Sequence, residues 1–279
     1  MKYLVLIILL ISLSINISAQ GELPKWEVKG YLSNMQSVMV LDESNKWIND
    51  NLFHNRLNIF WYPNLNFEAS IQFRNRFMYG QTIQMNPDYA KSIDNERSFL
   101  DLSINLLENK SSFLNTTIDR AYIKYNKGKF VSTIGRQRIN WSQTFVWNPN
   151  DIFNVSNFFD FDYPEKPGSD AIRLQYYSGF ASTIELAAKL DHNNKITAAG
   201  YYRFNTFGYD FQVLGGLFAE SDYFAGIGWA GDIKGGGFRG EMTYLHPRSK
   251  VKDTTGIFYL AVNGDYTFKN SLYIQFEGL

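Results

Sequence analysis

The chain has 279 residues, and its 27 Lys plus Arg balance its 27 Asp plus Glu, so the formal net charge is zero. With 45% apolar residues and no cysteine, it is neither disordered nor a disulfide scaffold, and it offers no thiolate to a metal, a substrate or an N-terminal lipid. Balanced charge also argues against nucleic acid as a partner, because such binders present a net basic face.

The chain opens as a targeting segment. Lys2 is followed by an apolar stretch from Tyr3 to Ile17 and then by the small residues Ser18-Ala19 before Gln20. That is the layout of a secretory signal peptide cleaved after Ala19, and the stretch is shorter than the ~20 residues a spanning helix needs. Residues 1–20 are therefore expected to be removed, leaving 21–279 as one domain without a transmembrane helix.

Period-two alternation dominates the remainder. In residues 65–77, Leu65, Phe67, Ala69, Ile71, Phe73 and Phe77 share one parity, and Asn66, Glu68, Ser70, Gln72, Arg74 and Arg76 share the other. A strand turns 180° per residue, so one face is oily and the other charged. The preceding run repeats this, with Phe53, Leu57, Ile59 and Trp61 against His54, Arg56, Asn58 and Tyr62, and Pro63-Asn64 as the turn between. Similar runs occupy 26–40, 115–126, 129–140, 170–178, 180–190, 196–205, 208–219, 222–231, 237–246, 257–268 and 271–279. About thirteen strands result, many near the ~9–11 residues of a tilted bilayer-crossing strand.

A soluble sandwich would hide the oily parity between sheets, whereas a membrane barrel turns it to lipid and encloses the polar parity. Mid-strand charges such as Arg74, Arg76, Glu185 and Lys189 favour the barrel. So does the aromatic content of 17%, with pairs such as Trp61-Tyr62, Tyr176-Tyr177 and Tyr201-Tyr202 near strand ends. The expected fold is an all-β, antiparallel, up-and-down transmembrane barrel in the outer membrane. Short turns then fall on one side and long loops on the other only if 81–114 is one long loop, with Phe99-Leu100-Asp101-Leu102 inside it, and 141–169 is a second. Thirteen strands cannot close an even-numbered barrel, so the chain is expected to be a fragment lacking at least one C-terminal strand.

Segment 141–169 carries Trp141, Phe145, Trp147, Phe153, Phe158, Phe159, Phe161 and Tyr163, too many aromatics for a freely solvated loop. It is expected to fold inward and narrow the lumen, with Trp147, Asn148, Asp151, Asp160, Asp162 and Glu165 as its working residues. Arg74, Arg76, Arg120, Arg136, Arg138 and Arg173, with Glu185 and Lys189, are the expected pore-lining set, and opposed acidic and basic arcs would select among ions. The same charges could instead pair and pin the loop. The side of the wall taken by Arg120 depends on a register left open by the turn at 126–128.

Ile118-Asp119-Arg120-Ala121-Tyr122, Gly135 to Trp141 (GRQRINW) and Trp147 to Asn154 (WNPNDIFN), continued by Phe158 to Tyr163 and by Pro167 to Asp170, resemble porin-like barrels of Gram-negative outer membranes. The closest texture is that of uncharacterised porins related to the alginate-export and phosphate-selective groups, and the match covers roughly 115–178. The resemblance implies passive or facilitated passage of small polar or anionic solutes, with lipid and solutes as partners and no cofactor.

Catalytic chemistry is thin. His54, His192 and His246 have no metal-ligand spacing. His246-Pro247-Arg248-Ser249 is the one string that suggests a barrel-borne hydrolase, and its proline disfavours a preorganised dyad. A channel is the expected function, not an enzyme. The alternatives are that hydrolase and a surface adhesion or assembly barrel working through its long loops. A homo-oligomer is left open.

Overall fold

The computed structural model describes residues 24–41, 46–94, 98–154, 165–249 and 255–279. The expected signal peptide lies outside them. Along the chain come β1 (Trp26–Leu41), β2 (Lys46–Asn64), β3 (Phe67–Gly80), α1 (Gln81–Met85), α2 (Tyr89–Ile93), β4 (Ser103–Asn109), β5 (Ser112–Lys127) and β6 (Phe130–Gln137). They are followed by β7 (Ser169–Tyr177), β8 (Thr183–Leu190), β9 (Ile196–Thr206), β10 (Tyr209–Phe218), β11 (Asp222–Ile233), β12 (Gly236–Pro247), β13 (Ile257–Thr267) and β14 (Tyr273–Gly278). All 14 strands form one antiparallel, up-and-down sheet in chain order, with β4 alone off the path beside β5.

Thirteen strands on the path correspond to the thirteen alternating runs. The fourteenth, β4, falls inside the stretch expected to be loop. β5 has 16 residues and β6 only 8, and β6 covers β5 from Ala121 to Lys127. The rest of that edge would expose unpaired backbone groups, and Ser103–Asn109 pairs with it from Ser112 to Thr117. Smaller corrections concern ends: the β2–β3 turn is Leu65-Asn66, β8 starts at Thr183 and β6 stops at Gln137. The sheet is all-antiparallel and up-and-down as expected, and it is not closed into a barrel: among the described residues β1 and β14 each pair on one side only.

Burial along the strands is inverted relative to a soluble core. Ile123, Ile134, Ile172 and Leu186 are each more than half exposed, while Arg56, Arg74, Glu185 and Glu241 are at most 5% exposed. The polar parity is thus the covered face and the apolar parity the bare one. Among the described residues every strand belongs to this one sheet, so no second sheet packs on the apolar side.

Two local irregularities shape the covered face. Gln72 pairs with Arg120 and Phe73 with Ile118, so Asp119 is a bulge residue. A bulge reverses parity beyond itself, and here it puts both Asp119 and Arg120 on the buried side. That settles the register of Arg120. Near the end of β6, Gly135 has φ 114°, and a Cβ there would lie 2.2 Å from the Ala121 carbonyl oxygen. Gly135→Ala is expected to lower unfolding stability by about 1–3 kcal/mol, read from the denaturant midpoint of the purified chain. An unchanged midpoint would show that β5 and β6 separate freely at this point.

Candidate functional site: the polar face and its two inserts

Two segments at the long-connection end fold over the polar face. The first is described at 81–94, with α1 and α2, and at 98–102. Thr82 donates to Asp50 through its backbone N–H (2.9 Å) and its hydroxyl (2.5 Å). Ile83, Ala90 and Phe113 are buried against Met78, Tyr89 and Ile93. Asn115, fully buried on β5, donates to Ser103 and Asn105 at 3.0 Å each. The segment then crosses to β7, where the Leu100 N–H donates to Asp170 (2.9 Å) and the Leu100 carbonyl accepts from Arg136.

The second insert is 138–168, of which 155–164 lie outside the described residues, Asp160 and Asp162 among them. Where β6 stops, the Ile139 N–H donates to Asn154 Oδ1 at 2.9 Å, closing the insert's base. Ile139, Trp141, Ile152 and Phe153 are buried together against Ala171, Ala187, Ala199, Tyr201, Leu214 and Phe224 of the wall. Trp141 stacks on Tyr201 with ring centres 5.0 Å apart and meets Phe153 edge-on at the same distance. The wall is thinned to receive it. Ala171, Ala187 and Ala199 are small, and on β11 a Cβ at Gly226 or Gly228 would come within 2.7 Å of Asn150 Oδ1 or 2.9 Å of Gln143 Oε1.

Carboxylates hold this insert by its backbone. Glu241 of β12 accepts the N–H groups of Gln143, Thr144 (2.9 Å) and Asn150 (2.9 Å). Glu277 of β14 accepts those of Phe145 (3.0 Å), Val146 (2.9 Å) and Trp147 (2.6 Å). Glu185 of β8 accepts the Trp141 indole N–H at 2.8 Å and pairs with Arg173 at 2.6 Å. Thr243 donates to Asn150 Oδ1 at 2.6 Å. Charge-assisted bonds of this kind are roughly twice as strong as neutral ones.

Cations hold the insert by its oxygens. Arg138 pairs with Asp151 at 2.6 Å and donates to the Asn154 carbonyl at 3.1 Å. Lys189 donates to the Phe153 carbonyl. Arg120 donates to Asp119 (2.8 Å) and to the carbonyls of Glu165 (3.2 Å) and Lys166 (2.7 Å). Glu165 accepts the Tyr31 hydroxyl at 2.7 Å and stands 3.7 Å from Arg56, which also pairs with Asp119. The insert therefore reaches β14 through Glu277 and β1 through Tyr31, the two edge strands of the sheet.

Of the expected pore-lining residues, Arg74, Arg76, Arg120, Arg173, Glu185 and Lys189 lie on the polar face. Arg74 sits directly opposite Arg56 and Arg76 opposite His54, and Arg76 donates to Asn115 at 2.8 Å. Arg136 instead faces Asp170 across the β6–β7 pair, with bonds of 2.9 and 2.8 Å, and Arg138 lies beyond β6 in the insert. Within the insert, Asn148 donates to the Val146 carbonyl (3.2 Å), and Trp147 keeps its ring partly exposed. Glu241, Glu277, Asn150 and Asp119 were not singled out from sequence. Glu241 and Glu277 are mid-strand or strand-end acids on the polar parity, the same signal that marks Glu185. Among the described residues no cluster of His, Asp and Glu could hold a metal ion.

The six N–H groups on two glutamates give a selective test. Removing a buried acceptor such as Glu241 leaves each buried donor at a cost of about 1–3 kcal/mol, and removing the less buried Glu277 costs less. Glu241→Ala is expected to speed hydrogen exchange at residues 143, 144 and 150 by roughly tenfold to a hundredfold and to spare 145–147. Glu277→Ala should do the reverse. Uniform acceleration in both variants would show that the insert is held elsewhere.

Burial pushes the Asp151 carboxyl up to about 6, against the pull of Arg138. The folded chain then binds an extra proton between the ordinary value of 3.8 and about 6. The contribution of Asp151 to stability falls as pH rises through that window and is constant above it. Wild type should accordingly lose stability relative to Asp151→Asn as pH rises from about 4 to about 6, read from unfolding midpoints at each pH. A difference independent of pH there would remove this assignment.

No protein-family model and no curated protein matches the chain, so its function is read from this geometry alone.

Proposed function

We propose that the chain forms the wall of an outer-membrane channel through which small polar or anionic solutes diffuse, with the 138–168 insert as its constriction. The inverted burial of the two faces carries this reading. A bare apolar face across one continuous sheet is unusual for a soluble monomer, whose contiguous exposed apolar patches rarely exceed a few hundred Å². In a bilayer the same face meets acyl chains, and the charged face is shielded from them. The short turns, such as 65–66, 207–208 and 234–235, lie at one end of the strands and the two inserts at the other, which suits entry of the hairpins from one side of a membrane.

On this reading the wall arginines do two things. Those bonded to the insert fix the constriction, and the grouping of Arg56, Arg74 and Arg76 on the adjacent strands β2 and β3 biases the passage beside them toward anions. A conducting wall also needs its β1 and β14 edges paired, because an open strand edge in hydrocarbon leaves backbone groups unsatisfied at several kcal/mol each.

The chain refolded into planar bilayers is expected to give discrete conductance steps, with reversal potentials in a KCl gradient on the anion side. Replacing residues 141–164 by a short Gly-Ser turn should raise the conductance several-fold. A chain that is folded in vesicles and conducts nothing would remove the channel reading. One that is monodisperse in water without detergent would remove the membrane as well.

A further inference from the structure

The bare apolar face carries two grooves of similar size. The first, of about 440 Å³, crosses β1, β2, β3, β5 and β6. Trp26 and Trp61, stacked with ring centres 5.8 Å apart, wall one side, and Ile134 walls the other. Ala69 and Ala121 lie between them. The second, of about 470 Å³, crosses β7 to β10 over Ala188, Ala198 and Gly215. Both fall in the range of small-molecule sites, about 300–1,000 Å³.

What separates the two grooves is the chemistry at their short-turn ends. From Ile123 in the first groove, the outward parity of β5 runs through Tyr125 to Lys127. That is four residues, roughly 13 Å at about 3.3 Å per residue. Lys129 follows in the turn to β6. Both lysines are exposed, and neither has an ion pair among the described residues, whereas neighbouring Lys124 pairs with Glu68 at 3.3 Å. The turns below the second groove, 178–182 and 207–208, read Ser-Gly-Phe-Ala-Ser and Phe-Gly and hold no base.

We propose that the first groove seats one acyl chain of an anionic glycerophospholipid whose phosphate is held by Lys127 and Lys129. An apolar channel, then an aromatic ring, then one unpaired ammonium group on the same outward track and a second in the turn beyond it matches such a lipid from tail to head. A zwitterionic lipid fits the groove equally but gains less from the lysines, each worth about 1 kcal/mol against an anionic surface. The second groove takes acyl chains without choosing among headgroups. This assignment rests on the membrane reading above.

The test uses the full chain in phosphatidylcholine vesicles containing a minor fraction of phosphatidylglycerol, with Trp229→Phe so that Trp26 and Trp61 dominate emission from this end of the apolar face. Bromine is placed on the acyl chains of one lipid at a time, and tryptophan quenching is measured. Brominated phosphatidylglycerol is expected to quench several-fold more than its share of the bilayer. Lys127→Gln with Lys129→Gln should return it to its share, and Ala121→Phe, which fills the groove floor, should do the same. Quenching in proportion to bulk composition in the unchanged chain overturns the site, as does enrichment that survives loss of both lysines. If brominated phosphatidylcholine also fails to quench, the membrane reading itself has failed. Proportionate quenching by both lipids removes the site and leaves the spanning reading standing.

Discussion

Everything else in this molecule follows from how the charged face of the sheet is satisfied. Taking a carboxylate or guanidinium out of water costs several kcal/mol unless a partner replaces the lost hydration. A single sheet cannot supply those partners from its own backbone, whose N–H and C=O groups are already committed to the ladders. The inserts supply them. Glu241 and Glu277 each receive three backbone N–H groups, and Arg120 and Lys189 donate to insert carbonyls. Irregular backbone is the one material that has both kinds of group to spare, because it is not in a ladder.

The polarity of this exchange also sets the direction of the insert. Arginines concentrate on β2, β3 and β5, and the carboxylates that receive the backbone N–H groups of 143–150 stand on β12 and β14. The insert leaves β6 and meets the acidic strands first, through residues 143–150, then returns to the basic ones through 165 and 166. Reversing that path would place N–H groups against guanidinium and carbonyls against carboxylate. The charge layout of the wall thus selects one seating of the insert. Apolar packing of Trp141, Ile152 and Phe153 supplies area but no such direction.

Most of the wall was legible because a strand face has a period of two and cannot be mistaken once its polarity is strong, as in 65–77. The covering inserts were legible only as anomalies. Eight aromatics in 141–169 signalled packing against something, yet nothing local identified the acceptors, since Glu241 and Glu277 lie about a hundred residues further along. β4 was missed for a related reason. Ser103–Asn109 is a strand because the upper half of β5 would otherwise have a bare edge, a demand that arises from the unequal lengths of β5 and β6. Asp119 shows the limit at single-residue scale. Its bulge reverses the parity of Arg120, and alternation alone cannot see a residue that the neighbouring strand β3 skips.

The same reasoning bears on the open edges. Tyr31 of β1 and Glu277 of β14 stand at opposite ends of the strand order, yet both bond to one insert, at Glu165 and at Phe145 to Trp147. A flat sheet of thirteen strands at about 4.8 Å spacing would hold those edges near 58 Å apart, and one insert bonds to both. The insert thus ties the two edge strands together across the polar face, through Tyr31 at one end of the strand order and Glu277 at the other.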